Sequence, residues 1–270
     1  MNKPVTAPSA SIISGSRLNY CWRLVATGFS FLMFCTGGIA IALMCSLVGL
    51  IMRDRARRAT LARSWLSRIF RLYLRMLRGL GLITYEIRHL DRIKPQGQLV
   101  IANHPSLLDV CFVISLIDNT DCIVKAALWR WPLTAMPVRA ANYLKNFQEG
   151  LIERALASLK TGASLIIFPE GTRSEPGSLR PFHRGASNIA IMSGLPVTPV
   201  VITCQPATLL KSQRWYQISP SRPHYIVSVM EDIQPAGIFA PDDLQSRAAR
   251  KLNAYLEHYF AAAVKAQQNT

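Results

Sequence analysis

The stretch "VIANHPSLLDVCF", Val100 to Phe112, decides how this chain reads. A short apolar run ends in Asn103-His104-Pro105, and Asp109 follows inside an otherwise apolar segment. Proline disfavours helical geometry in the residue before it and suits the first position of a helix. The stretch therefore predicts a strand over 98–102, a turn at His104, and a helix over 106–118 entered at Pro105. On one continuous helix, side chains five apart diverge by roughly 140°. With His104 outside the helix and Asp109 one turn into it, imidazole and carboxylate can meet. The carboxylate would accept one imidazole N–H and leave the other nitrogen as a base for a hydroxyl proton. On spacing alone, a turn histidine beside a helix-start acid is the commoner origin of such a pair.

Further strands are expected at "LITYEIR" (82–88), "DCIVKA" (121–126), "ASLIIF" (163–168), "PVTPVVI" (196–202) and "HYIVSVM" (224–230), with helices near 148–160, 185–193 and 241–266. Strands alternating with helices indicate an α/β fold, a mostly parallel sheet flanked by helices, over a catalytic domain at 81–270. In such sheets ligand sites gather beyond the carboxyl ends of strands. The stretch "SLIIFPEGTRS" (164–174) ends a second strand in a Pro-Glu-Gly turn, so the two turns can face each other. Arg173 offers a forked donor for a phosphate, Gly171 lets backbone N–H groups approach, and Thr172 and Ser174 add hydroxyls.

Half of the 270 residues are apolar, yet the net charge is +16. That balance excludes a disordered chain and an ordinary soluble enzyme, and points to anionic membrane surfaces. The six cysteines show no C-x-x-C and no clustering with histidines, so they read as reduced thiols, with no metal site. After an amino-terminal tail (1–22, flexible), the segment 23–52 carries no charge from Leu24 to Met52. It is long enough to span a bilayer as a hydrophobic membrane helix. A kink at Gly37-Gly38 would instead allow two short helices in one leaflet. The segment 53–80 holds nine arginines and one aspartate between Arg53 and Arg78, which places its side of the membrane in the cytoplasm. As a helix, Arg68, Arg71, Arg75 and Arg78 form one stripe and Leu66, Phe70, Tyr73, Leu77 and Leu80 another, the pattern of a basic amphipathic helix in the headgroup layer. No nucleic-acid module accompanies the charge, so nucleic acid is not an expected partner.

Taken together, "NHPSLLD", "FPEGTRS", "LPVTPVVI" (195–202) and "LRPFHRGAS" (179–187) resemble the blocks of the glycerolipid (lysophospholipid) acyltransferase family, in order and spacing over roughly 80–230. The resemblance implies His104 as general base, Asp109 as its orienting partner, and Glu170, Gly171, Thr172, Arg173 and Ser174 at the acceptor site. It implies acyl transfer from an acyl thioester, acyl-CoA or acyl-carrier protein, to a lysophospholipid such as 1-acylglycerol-3-phosphate, with membrane lipids as partners and no cofactor. One block departs from the family. Where it usually carries an Asp-Arg pair, this chain reads "RAANYLKN" (139–146), which leaves Arg139 or Lys145 to hold a phosphate and keeps another hydroxylated lipid open as acceptor. Lys125, opening "KAALWRWPL", is a further substrate-binding candidate; Trp129 and Trp131 of that stretch could line an acyl channel. The rival readings are a hydrolase with Ser106 as nucleophile and a non-catalytic membrane scaffold.

Overall fold

The computed structural model describes residues 17–269 apart from Trp131 and Pro241. Most of the expected tail, 1–16, therefore lies outside the described residues, as does Trp131.

Seven strands form one sheet: β1 (Thr84–Arg88), β2 (Leu99–Ala102), β3 (Thr120–Val124), β4 (Leu144–Lys145), β5 (Ser164–Ile167), β6 (Val197–Gln205) and β7 (His224–Val229). Their spatial order is β1-β7-β6-β2-β5-β3-β4. Every pair is parallel except β6 with β7. The fold is thus the α/β architecture read from the sequence, with β1 and β7 reversed at one edge. The helices are α1 (Arg17–Ile51), α2 (Arg55–Gly79), α3 (Asp109–Leu116), α4 (Pro132–Ala140), α5 (Leu151–Lys160), α6 (Gly185–Ser193) and α7 (Gln245–Gln268).

Successive strand residues point to opposite faces, and both faces are covered. Leu99, Ile101, Leu165 and Ile167 join Ile189 of α6 and Leu252, Leu256 and Phe260 of α7 in one core. Val100, Ala102 and Ile166 join Phe112 of α3 and Leu66 and Leu77 of α2 in the other. Burial on both sides explains why these strands read as unbroken apolar runs. Each fully buried aliphatic side chain contributes about 1.5–3 kcal/mol.

Four elements differ from expectation. The helix after His104 begins at Asp109, not Pro105, because the Ser106 hydroxyl accepts from Leu108 N at 3.1 Å and holds 105–108 as a turn. The last helix begins at Gln245 rather than Pro241. Helix α4 and strand β4 were not expected; Pro137 inside α4 hides the helix from a propensity reading.

α1 runs unbroken for 35 residues through Gly37-Gly38, so the kinked alternative does not hold. It is one helix long and apolar enough to cross a membrane by length and composition. It packs antiparallel to α2: Trp22 Nε1 donates to Leu80 O, Phe34 stacks on Phe70, a Cβ on Gly37 would meet Ile69 at 3.8 Å, and Gly49 faces Arg58. Arg23 donates to the carbonyls of Ser219, Pro220 and Ser221 before β7. The apolar stripe of α2 is covered by protein rather than presented to a headgroup layer: Leu66, Leu74 and Leu77 are buried, and α2 packs on α3 and α1. Much of the exposed apolar surface lies on α1, through Leu18, Val25, Leu32, Leu43, Leu47 and Ile51.

Candidate active site

The β2–β6 ladder ends at Ala102–Val200, and the Asn103 side chain extends it. Its amide donates to Ile202 O at 2.8 Å and its carbonyl accepts from Ile202 N at 2.7 Å. An asparagine side chain that makes both bonds to β6 in place of the backbone fixes where the chain leaves the sheet, and His104 is the first residue beyond it.

His104 Nδ1 and Asp109 Oδ2 lie 2.9 Å apart. The carboxylate is fully buried, and it also accepts from Ser106 N at 2.5 Å on Oδ2 and from Ser106 Oγ at 3.0 Å on Oδ1. Burial pushes the Asp109 carboxyl above its ordinary range, against the opposing pull of His104 and Ser106. A carboxylate so placed is a strong acceptor for the imidazole Nδ1–H, which puts the lone pair on Nε2. The histidine side chain is 16% exposed, its ring resting against Phe168 at 4.8 Å between centroids. Ser106, by contrast, is fully engaged. Its hydroxyl hydrogen goes to Asp109, and its oxygen accepts from Leu108 N and from Tyr225 OH at 3.1 Å. No lone pair faces solvent, so Ser106 is not presented as a nucleophile. The N–H groups of Ser106 and Leu108 are committed within this turn.

The β5 turn locks onto the same point. His104 N donates to Glu170 Oε1 at 2.8 Å, and Ser174 N donates to His104 O at 2.9 Å. Glu170 Oε2 accepts from Ser174 Oγ and from Arg180 N. Glu170, 3% exposed, therefore clamps two loops together rather than offering a ligand contact, and Ser174 is buried with it. Gly171 has φ +63°, and a Cβ there would lie 3.0 Å from the His183 ring. Thr172 is half-buried beside it. Arg173 Nη1 donates to Leu209 O at 2.6 Å and Leu210 O at 3.1 Å, tying its fork to the loop after β6. Burial lowers its pKa, and the Asp109 charge opposes that shift, so the arginine sits within electrostatic reach of the His–Asp pair.

Residues 84–203 match the Acyltransferase family. That stretch, a little under half of the chain, is what is similar to the family. Its relatives include the 1-acyl-sn-glycerol-3-phosphate acyltransferase of Cocos nucifera, 38% identical over 39% of this chain and 37% of that protein. The enzyme of the same name from Pseudomonas aeruginosa is 26% identical over 66% of this chain and 70% of that one. The chain thus spans little more than a third of the coconut protein, and 31% of a chloroplastic Brassica napus relative. The crystal structure of the Thermotoga maritima 1-acyl-sn-glycerophosphate acyltransferase superposes with TM-score 0.70 over 94% of this chain and 98% of that one. At 23% identity, this likeness shows the fold.

Around the His–Asp pair, cations converge from three strand ends. Lys125, after β3, has its pKa lowered by burial and then by Lys211, Arg173 and Arg180. Arg180 Nε donates to Arg173 O, and Lys211 follows the carbonyls that Arg173 holds. Sequence reading missed Arg180, Lys211 and Tyr225. Arg180 stood inside a quoted block unremarked, and the other two carry no local signal. Of the two candidates for the missing phosphate arginine, Lys145 lies over the Trp129 ring at 5.1 Å, and Arg139 donates to Trp129 O while lining a separate cavity.

Next to the His–Asp turn opens an apolar cavity of about 850 Å³ between α1, α2, α3 and α4. Leu107, Leu108 and Cys111 of that turn and helix line it together with Phe34, Tyr73 and Val138. Its size falls in the range of small-molecule pockets, ~300–1,000 Å³.

Proposed function

We infer that the protein transfers a fatty acyl group from an acyl thioester, acyl-CoA or acyl-carrier protein, to the free hydroxyl of 1-acylglycerol-3-phosphate. The observation that carries this is the 2.9 Å contact between a part-exposed imidazole and a fully buried carboxylate, beside a cluster of four cations. His104 Nε2 takes the hydroxyl proton as the oxygen attacks the thioester carbonyl. A C–O bond forms, the C–S bond breaks, and the leaving thiolate recovers the proton from the imidazolium. Asp109 holds the ring and stabilises its charged form. Lys125, Arg173, Arg180 and Lys211 suit the acceptor phosphate, and the apolar cavity suits an acyl chain. No metal or cofactor enters this scheme.

The same reading places the enzyme on a membrane. α1 touches the α/β domain near its start, where Arg23 donates to the carbonyls of Ser219 and Ser221, and again where it packs on α4. A helix crossing the bilayer would carry one end away from a domain held on one side. α1 therefore lies along one leaflet with its apolar face in lipid, and the arginine excess puts that leaflet on the cytoplasmic side.

Purified protein in lipid vesicles, given labelled acyl thioester and a panel of lyso-lipids, tests the scheme by mass spectrometry of the products. Label should enter phosphatidic acid, and His104→Ala should lower the rate by about 10²–10⁴-fold with binding to vesicles retained. Transfer undiminished in His104→Ala would overturn the base assignment. Label entering only a phosphate-free lipid would overturn the acceptor.

A further inference from the structure

At the opposite end of the α1–α2 pair from Trp22 and Leu80, a second cavity of about 530 Å³ opens between the last turns of α1, the first turns of α2 and the end of α4. Three arginines line it: Arg55, Arg58 and Arg139. Among the described residues, no carboxylate shares the lining. Asp54, next in the chain to Arg55, caps α2 by accepting from Ala56 N and Arg57 N, and pairs with Arg57 at 3.4 Å. Arg58 Nε is enclosed and has no hydrogen-bond partner. Its Nη1 lies so close to α1 that a Cβ on Gly49 would sit 3.1 Å away, so the absence of a side chain at Gly49 makes room for the guanidinium. Arg139 makes one long bond, 3.4 Å, to Trp129 O.

Like charges around one volume repel, and an enclosed N–H donor without an acceptor is costly. An anion held between the three guanidinium groups relieves the repulsion. We propose that this cavity is a binding site for the phosphate group of an anionic glycerophospholipid, separate from the reaction centre. Guanidinium forks match phosphate oxygens two at a time. The lipid is favoured over free phosphate by the surroundings: Leu43, Leu47 and Ile51 stand exposed on the same turns of α1 that supply Cys45 and Val48 to the lining. Acyl chains can run along that face while the headgroup enters between the helices. The site also bears on the larger cavity, because α4 walls both: Pro137 and Val138 face one, Arg139 and Ala140 the other. An occupant here braces the helix that closes the apolar cavity.

The test needs no turnover, so it stands or falls apart from the acyl-transfer reading. The full chain in a neutral detergent, where no charged bilayer surface exists, is titrated with diacylglycerol phosphate, with phosphatidylcholine and with inorganic phosphate. Binding is followed by native mass spectrometry and by the shift in melting temperature. Arg58→Gln and Arg139→Gln should each weaken binding of diacylglycerol phosphate about tenfold. Arg57→Gln and Arg75→Gln, exposed on α2 and outside the lining, remove the same charge and should change it about twofold or less. Saturable binding of inorganic phosphate at the same arginines, with equal affinity, would assign the site to the free ion and overturn the lipid. Equal losses in all four variants, or unchanged binding in Arg58→Gln and Arg139→Gln with melting temperatures retained, would overturn the site itself.

Discussion

Replacing Asp109 with asparagine isolates the charge in the His–Asp pair from its shape. The present carboxylate accepts three hydrogen bonds, two on Oδ2 from His104 Nδ1 and Ser106 N, and one on Oδ1 from Ser106 Oγ. An amide of the same size can keep its carbonyl at the Oδ2 place and turn its NH₂ toward Ser106. The serine hydroxyl then reverses and donates to Tyr225 OH, 3.1 Å away. The imidazole therefore keeps its tautomer and position but loses the carboxylate that stabilises its protonated form. A charge-assisted bond exceeds a neutral one by about 1–2 kcal/mol. Attraction between unit charges about 4 Å apart adds up to ~4 kcal/mol at an effective dielectric of 20. Allowing for overlap between the two, a net loss of about 2–4 kcal/mol corresponds to roughly 30- to 1,000-fold in kcat. KM for the thioester should stay near its original value, because neither group binds the donor. Stability should not fall: burial holds the Asp109 carboxyl above its ordinary range, so a neutral side chain removes a desolvation penalty. Thioester-dependent thiol release and melting temperature, measured on the same preparation, check both halves. An unchanged kcat with an intact melting transition would refute the oriented-base mechanism. A collapse in melting temperature would show that the carboxylate is structural.

Arg63→Ala should destabilise the fold by about 3–5 kcal/mol, since it strands Asp121, 1% exposed and paired with Arg63 at 2.8 Å, without its counter-charge. Burial already raises the Asp121 pKa, so its penalty grows as pH rises through that raised value; the melting deficit of Arg63→Ala should be largest at neutral pH and shrink in acid. The lowered pKa of Lys125 makes acceptor KM climb at a lower alkaline pH than an ordinary lysine would, and Lys125→Gln should remove that limb of the profile. Phosphate binding should raise the Lys125 pKa again, giving proton uptake that calorimetry detects as a buffer-dependent heat. Gly171→Ala forces a side chain onto φ +63° and against His183, at a local cost of about 1–2 kcal/mol, and should raise acceptor KM more than donor KM.

What the sequence made legible follows from how local each signal is. The proline at 105 and the apolar runs at 98–102 and 163–168 are short-range features, and they led to β2, β5 and the meeting of His104 with Asp109. The β6–β7 reversal is set by which edges pair, and no residue in "HYIVSVM" marks it. Helix α4 was hidden by Pro137. The stripe on α2 was read correctly as amphipathic but assigned to lipid, because a sequence cannot tell an apolar face covered by α1 from one covered by a bilayer. Arg139 was chosen by its place in a family block, whereas its partner surface is made by Arg55 and Arg58, some eighty residues earlier in the chain.

The position of the site follows from the strand order. β2 sits between β6 and β5, and its crossover through α3 passes beyond β5 to reach β3, on the sheet face that meets α2. The crossover from β5 through α6 passes back beyond β2 to reach β6, on the face that meets α7. Two connections leaving neighbouring parallel strands in opposite directions open a crevice between their carboxyl ends. His104 and the Pro169–Arg173 turn stand at that crevice. α3 lies on the side of the sheet where α1 and α2 enclose the apolar cavity. The imidazole therefore sits at the boundary between a cationic mouth, formed by strand-end loops, and an apolar chamber roofed by α1, which carries exposed apolar residues. The proposed reaction, which joins an acyl chain to a phosphate-bearing hydroxyl, would use a base at that boundary. Moving the roof, by shortening α1, should therefore alter which acyl chains are used before it alters whether the imidazole works.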